Sequence, residues 1–117
     1  MAIVANVVIG IVAILHFGFL VLEMFLWTKP LGRRVFNLTK EISQASTTLA
    51  ANQGLYNGFL GAGLIWGLWS GMLPVKVFFL TCVLIAGIFG GLTAKRSILF
   101  IQGLPALVGL ILAYLVK

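Results

Sequence analysis

The side chains suited to chemistry in this chain are an imidazole, a carboxylate, a phenol and several carboxamides, all set in apolar sequence. They are His16, Glu23, Asn52, Gln53, Tyr56, Asn57 and Gln102. In apolar surroundings each of these groups is costly unless another group of the protein or a ligand satisfies it. Such groups suit proton transfer, or recognition of the polar headgroup of a lipophilic molecule.

His16 and Glu23 are the candidate proton carriers, and they are seven residues apart. Both therefore lie on nearly the same helix face, about 10 Å apart along the axis. That separation is too long for a direct hydrogen bond, so a water, a ligand or Tyr56 would have to fill it. Ligand pairs on metal-binding helices are three or four residues apart, and we predict neither a metal site nor a cofactor.

The carboxamides Asn52, Gln53 and Asn57 fall with Tyr56 within six residues, and on a helix they form one polar patch. Gln53 and Asn57 share one face, and Asn52 and Tyr56 lie on the adjoining one. With Gln102 they are the candidate ligand-binding residues. The alternative is structural, because the same groups can hydrogen-bond one another and hold helices together.

Composition places the chain in a membrane. It has 117 residues, of which 62% are hydrophobic and 9% are charged, whereas soluble domains carry roughly a quarter charged residues. The net charge of +6 lies in short loops between apolar spans, which favours membrane topology and lipid headgroups over nucleic acid as its cause. The single cysteine, Cys82, lies inside a span and is interpreted as a packing residue.

Four apolar spans position the candidate residues within one all-α transmembrane domain. The spans cover about residues 3–27, 50–69, 75–93 and 97–116. Short connections make sequential helices antiparallel neighbours, so we predict a four-helix up-down bundle. Glycines repeat every four residues, as in Gly87 and Gly91. This spacing favours either close packing of helices within the bundle or association with a second copy, and we expect a homo-oligomer that is a dimer or larger.

The first loop is the longest polar stretch, residues 36–49, and follows a predicted turn at residues 28–32. Asn37 or Thr39 could cap a short helix with Glu41 in its first turn. We predict an interfacial amphipathic helix here, with an ordered loop as the alternative.

The basic residues set the predicted orientation. Most lie in the first and third loops: Lys29, Arg33, Arg34, Lys40, Lys95 and Arg96. We therefore expect a multi-pass protein of the plasma membrane with both termini outside and these two loops cytoplasmic. In that topology Glu23, the polar patch and Gln102 converge in the cytoplasmic third of the bilayer, and His16 lies deeper.

Three stretches resemble a known family over essentially the whole chain. They are LHFGFLVLEMFLW with His16, Glu23 and Trp27, then LAANQGLYNGFLGAGLIWG, then IQGLPAL. They are similar to the small bacterial and fungal integral membrane proteins grouped as DUF1304, and the motif NQGLYNGF is the most specific part. The resemblance implies a four-span membrane protein and no assigned reaction, so it transfers no role to any residue.

Three functional hypotheses follow from the sequence. In the first, a cytoplasm-facing intramembrane pocket binds a small lipophilic or amphipathic molecule, with acid/base chemistry at His16 and Glu23. In the second, the chain is a small oligomeric transporter or proton-coupled carrier. In the third, it is a structural or partner-binding membrane protein, and its polar patch stabilises helix packing. Membrane lipids are expected partners in all three.

Overall fold

The computed structural model describes residues 1–116, which form helices and turns without a strand. Its elements are α1 (Ala2–Met24), α2 (Pro30–Phe36), α3 (Lys40–Ala45), α4 (Thr47–Ser70), α5 (Leu73–Thr93), α6 (Arg96–Ile98), a π-helical segment π1 (Leu99–Gly103) and α7 (Leu104–Leu115). The all-helical prediction is confirmed.

Three segments in the described part of the chain are long and apolar enough to cross a membrane, as a multi-pass protein requires. They are Ala2–Met24, Leu73–Thr93 and Arg96–Leu115. Helix α4 is 24 residues long, so its length is sufficient. Its first half carries the polar patch, however, and α4 is absent from this set of three because the patch lowers its hydropathy.

The first loop contains two short helices rather than one. The predicted turn at residues 28–32 ends early, because α2 starts at Pro30 and proline is well accommodated in a first helical turn. Asn37 follows α2 in the left-handed conformation, with φ of 54°, and its N–H closes the helix end on the carbonyls of Arg33 and Arg34. Thr39 caps α3 as predicted, since its hydroxyl accepts a hydrogen bond of 3.2 Å from the N–H of Ile42.

The chain divides into two compact units, and each is described separately. Unit 1 contains residues 1–14 and the chain from Leu60 onwards, whereas unit 2 is Leu15–Phe59. The core of unit 1 is apolar and joins side chains of α1, α4, α5 and α7. These are Ile9, Val12, Ala13, Leu64, Leu80, Val83 and Ala106.

Within unit 1, α5 packs against π1 with backbone almost touching backbone. A Cβ added to Gly87 would lie 2.5 Å from the backbone nitrogen of Gly103 and 2.6 Å from its Cα. One added to Gly91 would lie 2.7 Å from Cβ of Leu99. Gly87 and Gly91 therefore allow close packing of helices within one chain, which is one of the two interpretations of their spacing given above.

The π-helical segment has a local cause. Pro105 lies in the first turn of α7 and has no N–H to donate to the preceding helical turn. The backbone N–H of Leu104 instead reaches back five residues to the carbonyl of Leu99. This wider turn carries Gln102, so the backbone is irregular at one of the predicted site residues.

Candidate functional site

A buried hydrogen bond between α1 and α4 is the centre of the candidate site in unit 2. The side-chain amide of Asn57 donates to Oε1 of Glu23, 34 residues earlier in the chain. Glu23 is 9% exposed and Asn57 is 5% exposed. Burying either polar group without a hydrogen bond would cost free energy, and this bond satisfies part of the hydrogen-bonding capacity of both.

Gly54 lets the two helices approach closely enough for this bond. A Cβ at Gly54 would lie 2.7 Å from Cγ of Met24, 3.1 Å from Cβ of Glu23 and 3.3 Å from the carbonyl oxygen of Leu20. Asn57 is three residues further along α4, on the same helix face. The small residue therefore brings α4 against α1, and the next turn of α4 places the carboxamide at the carboxylate.

His16 lies on the same buried side of α1 as Glu23. It is 0% exposed. The buried positions of α1 include 5, 9, 12, 16 and 23, and their separations of three, four or seven residues place them on one helix face. Its ring meets the ring of Phe19 edge to face, with centroids 5.3 Å apart. The sequence prediction that His16 and Glu23 share one face agrees with this burial pattern.

The polar patch of α4 is divided between the interior and the surface. Asn57 belongs to a buried stripe at positions 50, 54, 57, 61 and 64, whereas Asn52, Gln53 and Tyr56 are exposed. The ring of Tyr56 contacts the ring of Phe59 edge to face at 5.7 Å. Gln53 was expected to share the face of Asn57, but it lies at the margin of the stripe and its side chain is exposed.

Gln102 lies in π1 and is half-buried in unit 1. Its predicted convergence with the residues of unit 2 therefore stays a prediction. Six candidate residues lie in unit 2, namely His16, Glu23, Asn52, Gln53, Tyr56 and Asn57, and we call them the polar cluster. The structure joins two of them, Glu23 and Asn57, by a hydrogen bond. Among residues 1–116, no group of three or more His, Cys, Asp or Glu side chains is arranged to hold a metal ion.

A second set of hydrogen bonds lies in the same unit, and the sequence reasoning missed it. Ser43 is fully buried and donates to the carbonyl oxygen of Trp27 at 2.8 Å. The indole N–H of Trp27 donates to Oγ of Ser46 at 3.0 Å, and its ring packs on Phe36 with centroids 4.9 Å apart. These contacts tie α2 and α3 to Trp27, three residues after the end of α1. The only signal in the sequence was the pair of serines three residues apart on a predicted helix.

Comparison with known proteins gives one family and one curated relative. The family model of DUF1304, described as a protein of unknown function, matches residues 10–114, a range that contains every candidate site residue. The uncharacterized protein YpaA of Lactococcus lactis subsp. lactis (strain IL1403) is 34% identical over 108 residues, which cover 89% of this chain and 91% of YpaA. No solved structure matches this chain.

Proposed function

The chain belongs to the DUF1304 family, and we propose that it binds a small lipophilic or amphipathic molecule at the polar cluster of unit 2. The family carries no assigned reaction, so the proposal rests on the cluster itself. The ligand's polar head lies against the exposed flank of α4, and its apolar part lies among the hydrocarbon chains of the bilayer.

One observation carries this proposal: exposed polar side chains lie at positions of α4 that neighbour a buried, hydrogen-bonded pair. Asn57 and Glu23 form the inner end, and Gln53 and Tyr56 lie on the neighbouring outer positions of α4. A carboxamide has two N–H donors and a carbonyl acceptor, and the bond to Glu23 uses a single donor. Exposed carboxamides in a membrane-embedded helix are costly unless a partner engages them, which favours a ligand.

Native mass spectrometry of the full chain in mild detergent tests the proposal. We expect a reproducible small-molecule adduct on the wild type that is lost in Glu23→Gln, because this change removes the charge and keeps the shape. The matched control is Glu41→Gln, since Glu41 is the other acid of the chain and lies exposed in the first turn of α3. If every adduct of the wild type persists in Glu23→Gln, the ligand lies elsewhere and the proposal is overturned.

A proton-coupled carrier is the second candidate, and the full burial of His16 on the face of Glu23 favours it. Intramembrane pairs of ionisable residues on one helix face are typical of proton relays. This function requires solute flux in proteoliposomes that falls when Glu23 is changed to Gln. Flux that is unaffected by the change, or absent across a broad panel of solutes, counts against it.

A structural role is the third candidate, and the direct bond between Asn57 and Glu23 favours it. In that case the cluster stabilises helix packing and has no ligand. Changing either residue then lowers stability and leaves the adduct spectrum and the flux unchanged. The two experiments above therefore separate the three functions.

For the topology we propose four crossings in an up-down bundle in the plasma membrane, with both termini outside and the first and third loops cytoplasmic. The length of α4 supports a fourth crossing, and the basic residues of the two loops support the orientation. The apolar residues Ile42 and Leu49 are exposed, which supports contact of the first loop with lipid. We also propose a homo-oligomer, a dimer or larger.

A further inference from the structure

A lysine in unit 1 is held between helices by a neutral side chain. Nζ of Lys76 donates to Oδ1 of Asn6 at 3.1 Å, which links the start of α5 to α1. Its stem crosses α4 at Gly67, where an added Cβ would lie 2.9 Å from Cγ of Lys76. The side chain of Lys76 therefore contacts α4 through its stem and α1 through its ammonium group.

The charge of Lys76 has no acidic side chain in unit 1 to balance it. The chain has two acids, Glu23 and Glu41, and both belong to unit 2. Asn6 is neutral, and an ammonium has three donors, of which the bond to Asn6 uses one. A half-buried cation with a neutral partner favours an anionic ligand, since charge-assisted hydrogen bonds are about twice as strong as neutral ones.

Two cavities of unit 1 share a lining residue, and the smaller of the two is lined by this lysine. The smaller has a volume of about 100 Å³ and is lined by Lys76 together with Ala5, Ile9 and Leu73. The larger is an open groove of about 500 Å³ on α5 and α7, lined by Leu73, Pro74, Val77, Phe78, Thr81 and Tyr114. Leu73 lines both, so the charged cavity and the mostly apolar groove adjoin.

We infer that this pair of cavities binds an anionic phospholipid, with its phosphate at Lys76 and an acyl chain in the groove. Lys76 lies in the first turn of α5, a helix that is apolar and long enough to cross the membrane, and headgroups lie at the ends of such helices. From Leu73 to Thr81 the groove follows α5 for about 12 Å away from that end. Charge at the helix end and an apolar groove directed inward match the polarity of a lipid lying along a helix.

Lipid titration of the full chain by native mass spectrometry tests this site. The probes are phosphatidylglycerol and phosphatidylcholine with identical acyl chains, and the variants are Lys76→Gln, Lys76→Arg and Lys95→Gln. We expect the wild type to bind phosphatidylglycerol about fivefold more tightly than phosphatidylcholine, because one basic residue attracts a net anionic headgroup and the choline cation neutralises the phosphate of phosphatidylcholine. The preference should be lost in Lys76→Gln, be restored in Lys76→Arg and persist in Lys95→Gln, which removes a cation from the other end of α5.

The groove has its own variant, Thr81→Trp, which fills the apolar part and leaves Lys76 in place. We expect it to weaken binding of both lipids, and Glu23→Gln in unit 2 to weaken neither. An unchanged preference in Lys76→Gln overturns the inference, and so does unchanged lipid binding in Thr81→Trp. Displacement of the lipid by equimolar inorganic phosphate would assign the site to a free anion, and a change of oligomer size in Thr81→Trp would assign the groove to a second copy. Either result overturns the lipid assignment.

Discussion

Asn57 on α4 donates its side-chain amide to the carboxylate of Glu23 on α1, and both side chains are buried. The pair joins residues 34 positions apart in sequence, so it fixes the register of the two helices within unit 2. It also separates two roles that the sequence combined in one patch. The inner carboxamide satisfies a buried acid, whereas the outer carboxamides remain exposed.

Replacing Asn57 with Leu should lower the free energy of unfolding by about 2 kcal/mol, because it leaves the buried carboxylate of Glu23 without this donor. Unfolding of the purified protein by sodium dodecyl sulfate in mixed micelles, followed by circular dichroism, measures the loss. The control is Gln53→Leu, which removes an exposed carboxamide of the same helix and should change stability by less than about 0.5 kcal/mol. Equal losses in the two variants would contradict a special role for the Glu23–Asn57 bond.

Replacing Gly54 with Ala should destabilise unit 2 by about 1–3 kcal/mol, because the new Cβ overlaps Cγ of Met24 and lies tight against Cβ of Glu23 and the carbonyl oxygen of Leu20. The same assay measures it. Gly18→Ala is the matched control, since an added Cβ there meets no atom within 4 Å. Alanine at Gly18 should be neutral or stabilise the helix by up to about 1 kcal/mol. If Gly54→Ala proves as harmless as Gly18→Ala, the close approach of α1 and α4 is wrong.

The sequence predicted the parts of the fold that depend on local patterns. Apolar length and composition predicted the helices, and spacing of seven residues predicted that His16 and Glu23 share a buried face. The cap at Thr39 was also predictable, because it is a local pattern. The hydroxyl of Thr39 accepts from the N–H of Ile42, three residues later in the chain.

The sequence did not predict which carboxamide meets Glu23, because this depends on contacts between helices. Gln53 and Asn57 lie about 40° apart around α4, and periodicity alone does not decide which of two such neighbours is inside the buried stripe. Gly54 decides it, since it sets where α1 rests on α4. The bond of Ser43 to the carbonyl of Trp27 was missed for the same reason.

Replacing Ser43 with Ala should loosen the attachment of α3 to the end of α1. The change removes a buried donor to the carbonyl of Trp27 and should cost about 1 kcal/mol. Hydrogen exchange followed by mass spectrometry should show faster exchange of the amides of α3. The control is Ser70→Ala, because Ser70 is exposed and its hydroxyl makes only local bonds: it donates to the carbonyl of Trp66 in its own helix and accepts from the N–H of Met72. Unchanged exchange in α3 would show that this bond does not hold the helix.

Helix α4 should cross the membrane although its first half is polar. Its 24 residues extend about 36 Å, which exceeds the roughly 30 Å of a hydrocarbon core. Thr48 and Trp69 lie near opposite ends of α4, and both side chains are exposed. Each is changed to cysteine separately, in a Cys82→Ala background. In intact cells a membrane-impermeant maleimide should label the Trp69→Cys protein, and it should label the Thr48→Cys protein only after the membrane is opened. The two ends of a helix that crosses the membrane lie in different compartments. Labelling of both positions in intact cells would therefore mean that α4 does not cross.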